Sequence, residues 1–206
     1  ITPAISPDGK KVDVLATGFR NRTKLTAHAD ITEEWHIRFQ GVFAPAGDGF
    51  DNNDSQPVDT GAFALDDMIG IYTMDNGWSM GFGQAKLPFL TEELVRDTGQ
   101  LAAGRSILAD NSVTGGAGAT AGGFNANRAQ GVFFNYEADT FRFMGAVSDG
   151  ANTANSEFTS GIEADFAITG RFEWMWAGEW ERFQDFTSFS GQENAGKVGG
   201  AIHYQD

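Results

Sequence analysis

Residues 161–176 alternate between apolar and polar side chains almost without interruption, and this pattern constrains the fold more than any other feature. Successive side chains of a β-strand point to opposite faces, so the pattern predicts one long strand with an apolar face and a charged face. Strands of globular proteins usually have about 5–6 residues, whereas a tilted strand that crosses a bilayer needs roughly 9–11. The apolar face ends in Trp174 and Trp176, and tryptophan is enriched at membrane interfaces. The segment therefore favours a membrane-spanning strand.

The composition of the 206-residue chain is compatible with a transmembrane barrel and excludes other classes. No apolar run approaches the roughly 18 residues of a membrane-spanning helix, which excludes a helical membrane protein. Barrel strands dilute their apolar signal by alternation, so a barrel is still possible. The net charge of −14 argues against nucleic acid as a partner, because a phosphate backbone requires a basic surface. The 18 Phe favour strands, and the absence of cysteine excludes disulfides.

Similar alternation along the chain predicts about nine strands, at residues 11–17, 19–30, 35–43, 62–73, 78–87, 128–136, 140–148, 161–176 and 197–205. Connections at 31–34, 74–77 and 137–139 are short, whereas those at 44–61, 88–127 and 149–160 are long; 177–196 breaks this alternation. Outer-membrane barrels have short periplasmic turns and longer external loops. The asymmetry favours a transmembrane antiparallel β-barrel of the porin type. The alternative is a soluble secreted β-sandwich that binds a ligand, in which the apolar faces would form the core.

Several runs resemble the phosphate-selective porin O and P family. Residues 21–40 (N-R-T-K-L-T-A-H-A-D-I-T-E-E-W-H-I-R-F-Q) are similar to an early hairpin of that family. The family's Gly-Gln-x-Lys-x-Pro-Phe signature is matched by Gly83, Gln84, Lys86, Pro88 and Phe89. Residues 129–136 and 141–150 look like the hairpin that follows. Each run alone is moderately specific, and their order along the chain is the stronger argument.

The resemblance implies a bacterial outer-membrane protein built as a sixteen-stranded barrel that typically assembles as a homotrimer. It also implies contact with membrane lipid and lipopolysaccharide, passage of small anions or hydrophilic solutes, and no cofactor. The chain would form a single barrel domain over 1–206, with further strands expected after residue 206; a small variant barrel is the alternative. If 11–17 is the first strand, residues 88–127 follow the fifth strand and correspond to the long loop that folds into the pore of general porins.

The charged faces of the predicted strands provide the side chains that would line a water-filled pore. Eight basic residues are predicted to guide anions there: Arg20, Arg22, Lys24, Arg38, Lys86, Arg142, Arg171 and Lys197. Arg128 could join them, and the inward carboxylates are fewer, namely Asp30, Glu163, Asp165 and Glu173. The lumen wall is therefore predicted to be basic despite the negative net charge. A register error of one residue would invert this assignment.

The long loop supplies the predicted pore-loop residues Glu92, Glu93, Arg96, Asp97 and Arg105. The planar fork of arginine suits phosphate or carboxylate, so the wall arginines could select phosphate. Alternatively, they pair with acidic loop residues, which leaves a general pore with a mild anion bias. The loop departs from the family pattern because it lacks a dense basic cluster.

Other chemistry is weakly supported by the sequence. His28 and His36 share one predicted hairpin, but a pair of histidines is not a metal site. The chain has no G-x-S-x-G motif, and no enzyme activity is predicted. The tryptophans are predicted to form interface belts or, alternatively, to pack in a core: Trp35, Trp78, Trp174, Trp176 and Trp180. The predicted function is that of a porin subunit for passive diffusion; a barrel that anchors the envelope without conducting is a further alternative.

Overall fold

Most of the chain that the computed structural model describes belongs to one antiparallel sheet. The described residues are 4–5, 11–12, 23–44, 62–95, 99–100, 106, 127–151, 153, 164–186, 191 and 193–206. Two short strands, β1 (Ala4–Ile5) and β2 (Lys11–Val12), pair with each other. The large sheet consists of β3 (Thr23–Asp30), β4 (Trp35–Ala44), β5 (Ala62–Thr73), β6 (Trp78–Lys86), β7 (Arg128–Glu137), β8 (Phe141–Ser148), β9 (Ala167–Ala177) and β10 (Gly196–Gln205).

Each strand of the large sheet pairs with its neighbours in sequence, so the spatial order is β3 to β10. Within the described residues β3 and β10 are the two edges of the sheet and do not pair with each other. Two helical elements are described over their full length, and both are single turns: α1 (Thr91–Leu94) and a 3-10 turn at Trp180–Phe183. None of the described helices is long and apolar enough to span a membrane. The predicted antiparallel all-β fold class is confirmed.

Local hydrogen bonds close the three predicted short turns, which all lie at one end of the sheet, here called the short-turn end. The Thr32 hydroxyl accepts from the Trp35 amide at 3.1 Å. Gly77, which follows Asn76 in the second turn, takes a φ of 83°, a conformation that glycine adopts readily. The Ala138 amide donates to the Phe141 carbonyl at 2.9 Å. Three tight hairpins therefore fix the register of the sheet.

The two faces of the sheet have opposite environments, and β9 shows this most clearly. Thr169, Arg171 and Glu173 are buried, at 1–5% exposure. Phe172 and Trp174, which alternate with them, are 51% and 49% exposed. A soluble sandwich would bury its aromatic face, so that alternative is inconsistent with the structure. We call the face that carries Phe172 and Trp174 the outer face, and the opposite one the charged face.

Aromatic pairs on the outer face form two rows, one at each end of the sheet. At the short-turn end the pairs are Trp35–Tyr72, Trp78–Tyr136 and Trp174–Trp176, with ring centroids 5.0–5.8 Å apart. At the other end they are Phe43–Phe63 and Phe166–Tyr204. Trp35 and Phe43 are separated by eight residues of β4, roughly 26 Å along the strand. Strand tilt shortens this span toward the apolar band of about 25 Å in outer-membrane barrels.

Two strand predictions need correction. Residues 11–12 pair with β1 rather than with the large sheet, so eight strands, not nine, form that sheet in the described part of the chain. Residues 13–20 lie outside the described part. The predicted strand 161–176 begins only at Ala167. Before it, the amides of Ala164 and Asp165 donate to Asp149 and Asp206, which follow the ends of the neighbouring strands. Residues 164–165 therefore bond to both neighbouring strand ends but are not part of the regular strand pairing. Residues 161–163 lie outside the described part of the chain.

A β-bulge in β5 changes which side chains reach the charged face. Gln40 lies opposite Asp67 and Gly41 opposite Leu65, so Asp66 is the extra residue. Both adjacent carboxylates, Asp66 and Asp67, are mostly buried on the charged face as a result. Strict alternation would have turned one of them toward the outer face.

Candidate pore-lining face

The beginning of the long segment after β6 lies on the charged face. The Arg171 guanidinium donates to the Phe89 carbonyl at 2.8 Å and also to the Thr91 hydroxyl. The Lys86 ammonium donates to the Glu93 carbonyl at 2.5 Å and lies 3.9 Å from its carboxylate. Side chains of β6 and β9 thus hold residues 88–95, here called the loop segment, against the middle of the sheet.

The long segment continues from there toward the opposite end of the sheet. It leaves β6 at Lys86, at the end away from the short turns. Farther along, the Gly99 carbonyl accepts from the Phe186 amide at 2.8 Å, and Phe186 belongs to the connection between β9 and β10. That connection starts at the short-turn end, since β9 and β7 run in the same direction. The described part of the segment therefore crosses the charged face lengthwise.

Glu173 is the centre of the larger charge cluster on this face. Its side chain is 1% exposed and accepts from three cations. Arg142 and Arg171 each donate at 2.6 Å, to different carboxylate oxygens. Lys197 donates at 2.9 Å. Strands β8, β9 and β10 each contribute, because Arg142 and Glu173 are directly opposite in the register and Lys197 lies opposite Met175, two residues from Glu173.

Aromatic side chains of the β9–β10 connection cover this cluster. The Trp180 ring lies 4.6 Å from the Arg142 guanidinium, and the Phe183 ring lies 5.1 Å from the Lys197 ammonium. Trp180 also donates to the Ala138 carbonyl at 2.8 Å. The prediction that Trp180 belongs to an interface belt is therefore wrong. The Ala138 carbonyl and the Arg142 guanidinium hold the Trp180 ring on the charged face, away from the outer face.

The bulge in β5 is the centre of a second charge cluster. Arg128 donates to Asp67 at 2.7 Å and lies 3.2 Å from Asp66. Lys24 lies 3.6 Å from Asp66, and Arg38 lies 3.5 Å from Asp67. Neither aspartate was expected on this face, because two adjacent acids contradict the two-residue period of a strand. The weak alternation of β5 was the signal that a bulge interrupts it.

The structure brings all the described basic candidates to the charged face and pairs each with a carboxylate. The basic side chains are Lys24, Arg38, Lys86, Arg128, Arg142, Arg171 and Lys197, and their partners are Asp66, Asp67, Glu93, Glu137 and Glu173. Seven cations share five carboxylates, so this set of ion pairs contains two more cations than carboxylates. Of the other candidates, Arg20, Arg22, Arg96, Asp97, Arg105 and Glu163 lie outside the described residues.

The remaining predicted polar residues do not join these clusters. Glu92 accepts from the Ser106 hydroxyl at 2.6 Å within the long segment. Asp165 is exposed ahead of β9. Asp30 pairs with His36 at 2.7 Å. No group of three His, Asp or Glu side chains in the described ranges is arranged to hold a metal ion.

An antiparallel meander with an aromatic outer face and a loop-covered charged face defines the wall of an outer-membrane β-barrel. The family model of phosphate-selective porin O and P matches residues 5–192. The chain therefore belongs to this family of bacterial outer-membrane proteins, and the resemblance seen in the sequence is confirmed. No curated protein and no solved structure matches the chain.

Proposed function

We propose that the protein forms a passive diffusion pore for small hydrophilic solutes and ions, with a bias for anions. The observation that carries the proposal is the location of the charges. Seven basic side chains lie on the face that the loop segment covers, while the opposite face exposes aromatic rings. Closing such a sheet into a barrel with its outer face in lipid encloses the charged face around water.

The excess of cations over carboxylates supports the anion bias. Paired charges partly cancel at a distance, so the bias is set by the excess rather than by the number of arginines. Exposed acidic residues at the short turns, such as Asp75 and Asp139, account for part of the net charge of −14. The described ion pairs of the basic candidates and the whole chain therefore differ in the sign of their net charge.

Tight selection of phosphate is the second candidate function, and the family description is the observation that favours it. The ion pairs argue for weaker binding, because a phosphate must compete with a carboxylate for each guanidinium. Arg171, for example, is 5% exposed and already donates to Glu173, Phe89 and Thr91. We therefore favour a general pore with a mild anion bias over a phosphate-specific channel.

We also propose that three copies assemble in the outer membrane and that the aromatic rows contact lipid and lipopolysaccharide. The exposure of Trp174, Trp176 and Phe172, at 49–57%, supports contact with an apolar partner. Gel mobility of the unheated protein, together with chemical cross-linking, measures the number of copies. A single cross-linked species of three chains is the expected result.

The reversal potential of the intact protein in a planar bilayer under a KCl gradient tests the proposed function. An anion-preferring potential is expected, together with incomplete block of the current by millimolar phosphate. A cation-preferring potential would contradict the anion bias. Absence of any conductance would overturn the pore and favour a barrel that anchors the envelope without conducting.

A further inference from the structure

A cavity of about 220 Å³ lies on the charged face beneath the loop segment. Its wall is largely apolar, and is formed by Ile69, Ile71, Phe133 and Met144 from three strands, with Leu94 of α1 at the loop side. A surface that faces only water and ions has no need of such side chains, since apolar area exposed to water is unfavourable. The cavity is therefore suited to an occupant with an apolar part.

Two cations lie at the wall of the same cavity, Arg38 and Lys86. The Arg38 side chain is 36% exposed, and its Nη2 lies 3.5 Å from Asp67. Its Nε is buried and has no hydrogen-bond partner among the described residues. The rest of the guanidinium is partly exposed, so an anion in the cavity can accept from this cation.

We propose that this cavity is a binding subsite for small aromatic carboxylates that pass through the pore, an inference that rests on the proposed function and adds a solute class to it. The carboxylate accepts from Arg38, and the ring lies between Phe133 and Met144. Aromatic rings pack favourably against another ring and against a thioether sulfur. Inorganic phosphate fits less well, because it would lose hydration against the apolar wall without recovering apolar contact.

Block of the KCl current by sodium benzoate, acetate and phosphate tests the subsite in the intact protein. We expect benzoate to reach half-block at about one tenth of the acetate concentration, equivalent to about 1.4 kcal/mol. Equal half-block by benzoate and acetate, or stronger block by phosphate than by benzoate, would overturn the subsite. Both outcomes leave the conductance itself, and hence the proposed function, intact.

Calorimetric titration of the detergent-purified protein with benzoate separates the two proposals when no current is observed. Benzoate binding without conductance would overturn the pore and keep the cavity as a carboxylate site. Neither conductance nor binding would overturn both. The titration therefore gives a result for the cavity that does not depend on channel activity.

Matched variants assign the binding to the cavity. Phe133→Leu keeps an apolar side chain but removes the flat ring, and should reduce the preference for benzoate over acetate by several-fold. Arg38→Lys keeps the charge beside Asp67 but removes the planar guanidinium, and should weaken block by both carboxylates. Phe172→Ala removes a ring from the outer face and should leave block unchanged. An equal loss in Phe172→Ala and Phe133→Leu would overturn the location.

Discussion

At the scale of single residues, Glu173 shows how one carboxylate organises the charged face. It is 1% exposed and pairs with Arg142, Arg171 and Lys197 at 2.6–2.9 Å. Arg171 in turn holds the loop segment through Phe89. Removal of one partner from a buried ion pair is much more damaging than removal of both, because the remaining charges lose their compensation. Glu173 thus links the strand charges to the position of the loop.

Glu173→Gln should therefore destabilise the protein severely. The glutamine keeps the size of the side chain but leaves three cations without their shared carboxylate, a loss of about 3–5 kcal/mol. Urea unfolding in lipid vesicles, followed by tryptophan fluorescence, measures the change. The control is Glu179→Gln, at an exposed position in the β9–β10 connection, which should change stability little. Equal effects of the two substitutions would contradict the central role of Glu173.

Gly83 is a second residue whose identity the structure explains. Its φ is 131°, and a Cβ atom at this position would collide with the Met68 carbonyl oxygen. Residues directly opposite in a sheet normally share a face, but this rule is interrupted here. Met68 is 55% exposed, whereas Gln84, which lies opposite it, is 6% exposed. The close approach of the β5 backbone therefore requires glycine at this position.

Gly83→Ala should lower stability by about 1–3 kcal/mol, because the backbone conformation is unfavourable for an L-residue. Gly70→Ala on the adjacent strand is the matched control. Its Cβ atom would meet nothing within 4 Å, so stability should stay nearly constant. The midpoints of urea unfolding measure both variants. A destabilisation by Gly70→Ala as large as that of Gly83→Ala would show that any side chain disrupts these strands.

At the scale of elements, the two-residue period predicted most strands of the large sheet, and the two faces of those without a bulge. β9 is the clearest case, since its charged residues are buried and its aromatic residues exposed as the alternation predicted. The same period could not predict the β5 bulge, because a bulge breaks the period and Asp66 is neither Gly nor Pro. It also could not place Trp180, which lies in a connection where side-chain direction depends on tertiary contacts.

Quenching by brominated lipids tests the two locations of tryptophan. A variant that retains only Trp176, which is 57% exposed on the outer face, should lose much of its fluorescence in vesicles of lipid brominated near the headgroup. A variant that retains only Trp180 should be protected from the lipid, because its ring lies against Arg142. Strong lipid quenching of Trp180 would place the β9–β10 connection in the membrane and contradict the described position.

Thr91→Val tests one of the contacts that hold the loop segment on the charged face. The substitution removes the hydroxyl that accepts from Arg171 while keeping the shape of the side chain. We expect the open-channel current to become noisier and protease cleavage within residues 88–127 to become several-fold faster. Thr26→Val, at an exposed position of β3, should change neither. Unchanged cleavage in Thr91→Val would mean that Lys86 and the Phe89 carbonyl are sufficient to hold the segment.

At the scale of the whole molecule, the sign of the local charge differs from that of the net charge. The chain carries −14, whereas the ion pairs made by the seven described basic candidates on the charged face leave an excess of two cations. Charges beyond the Debye length, about 10 Å at 0.1 M salt, are largely screened. Ion selectivity should therefore depend on the charged face and little on the acidic turns.

Two charge-neutralising variants test this inference, because both change the net charge of the protein by the same amount. Asp66→Asn and Asp75→Asn each raise the net charge by one, but Asp66 pairs with Lys24 and Arg128 on the charged face, whereas Asp75 lies in an exposed short turn. We expect Asp66→Asn to shift the reversal potential toward anions and Asp75→Asn to leave it nearly unchanged in 0.1 M KCl. The shift should shrink in 1 M KCl, where the Debye length falls to about 3 Å. Equal shifts in the two variants would show that the total charge of the protein, rather than its charged face, sets the selectivity.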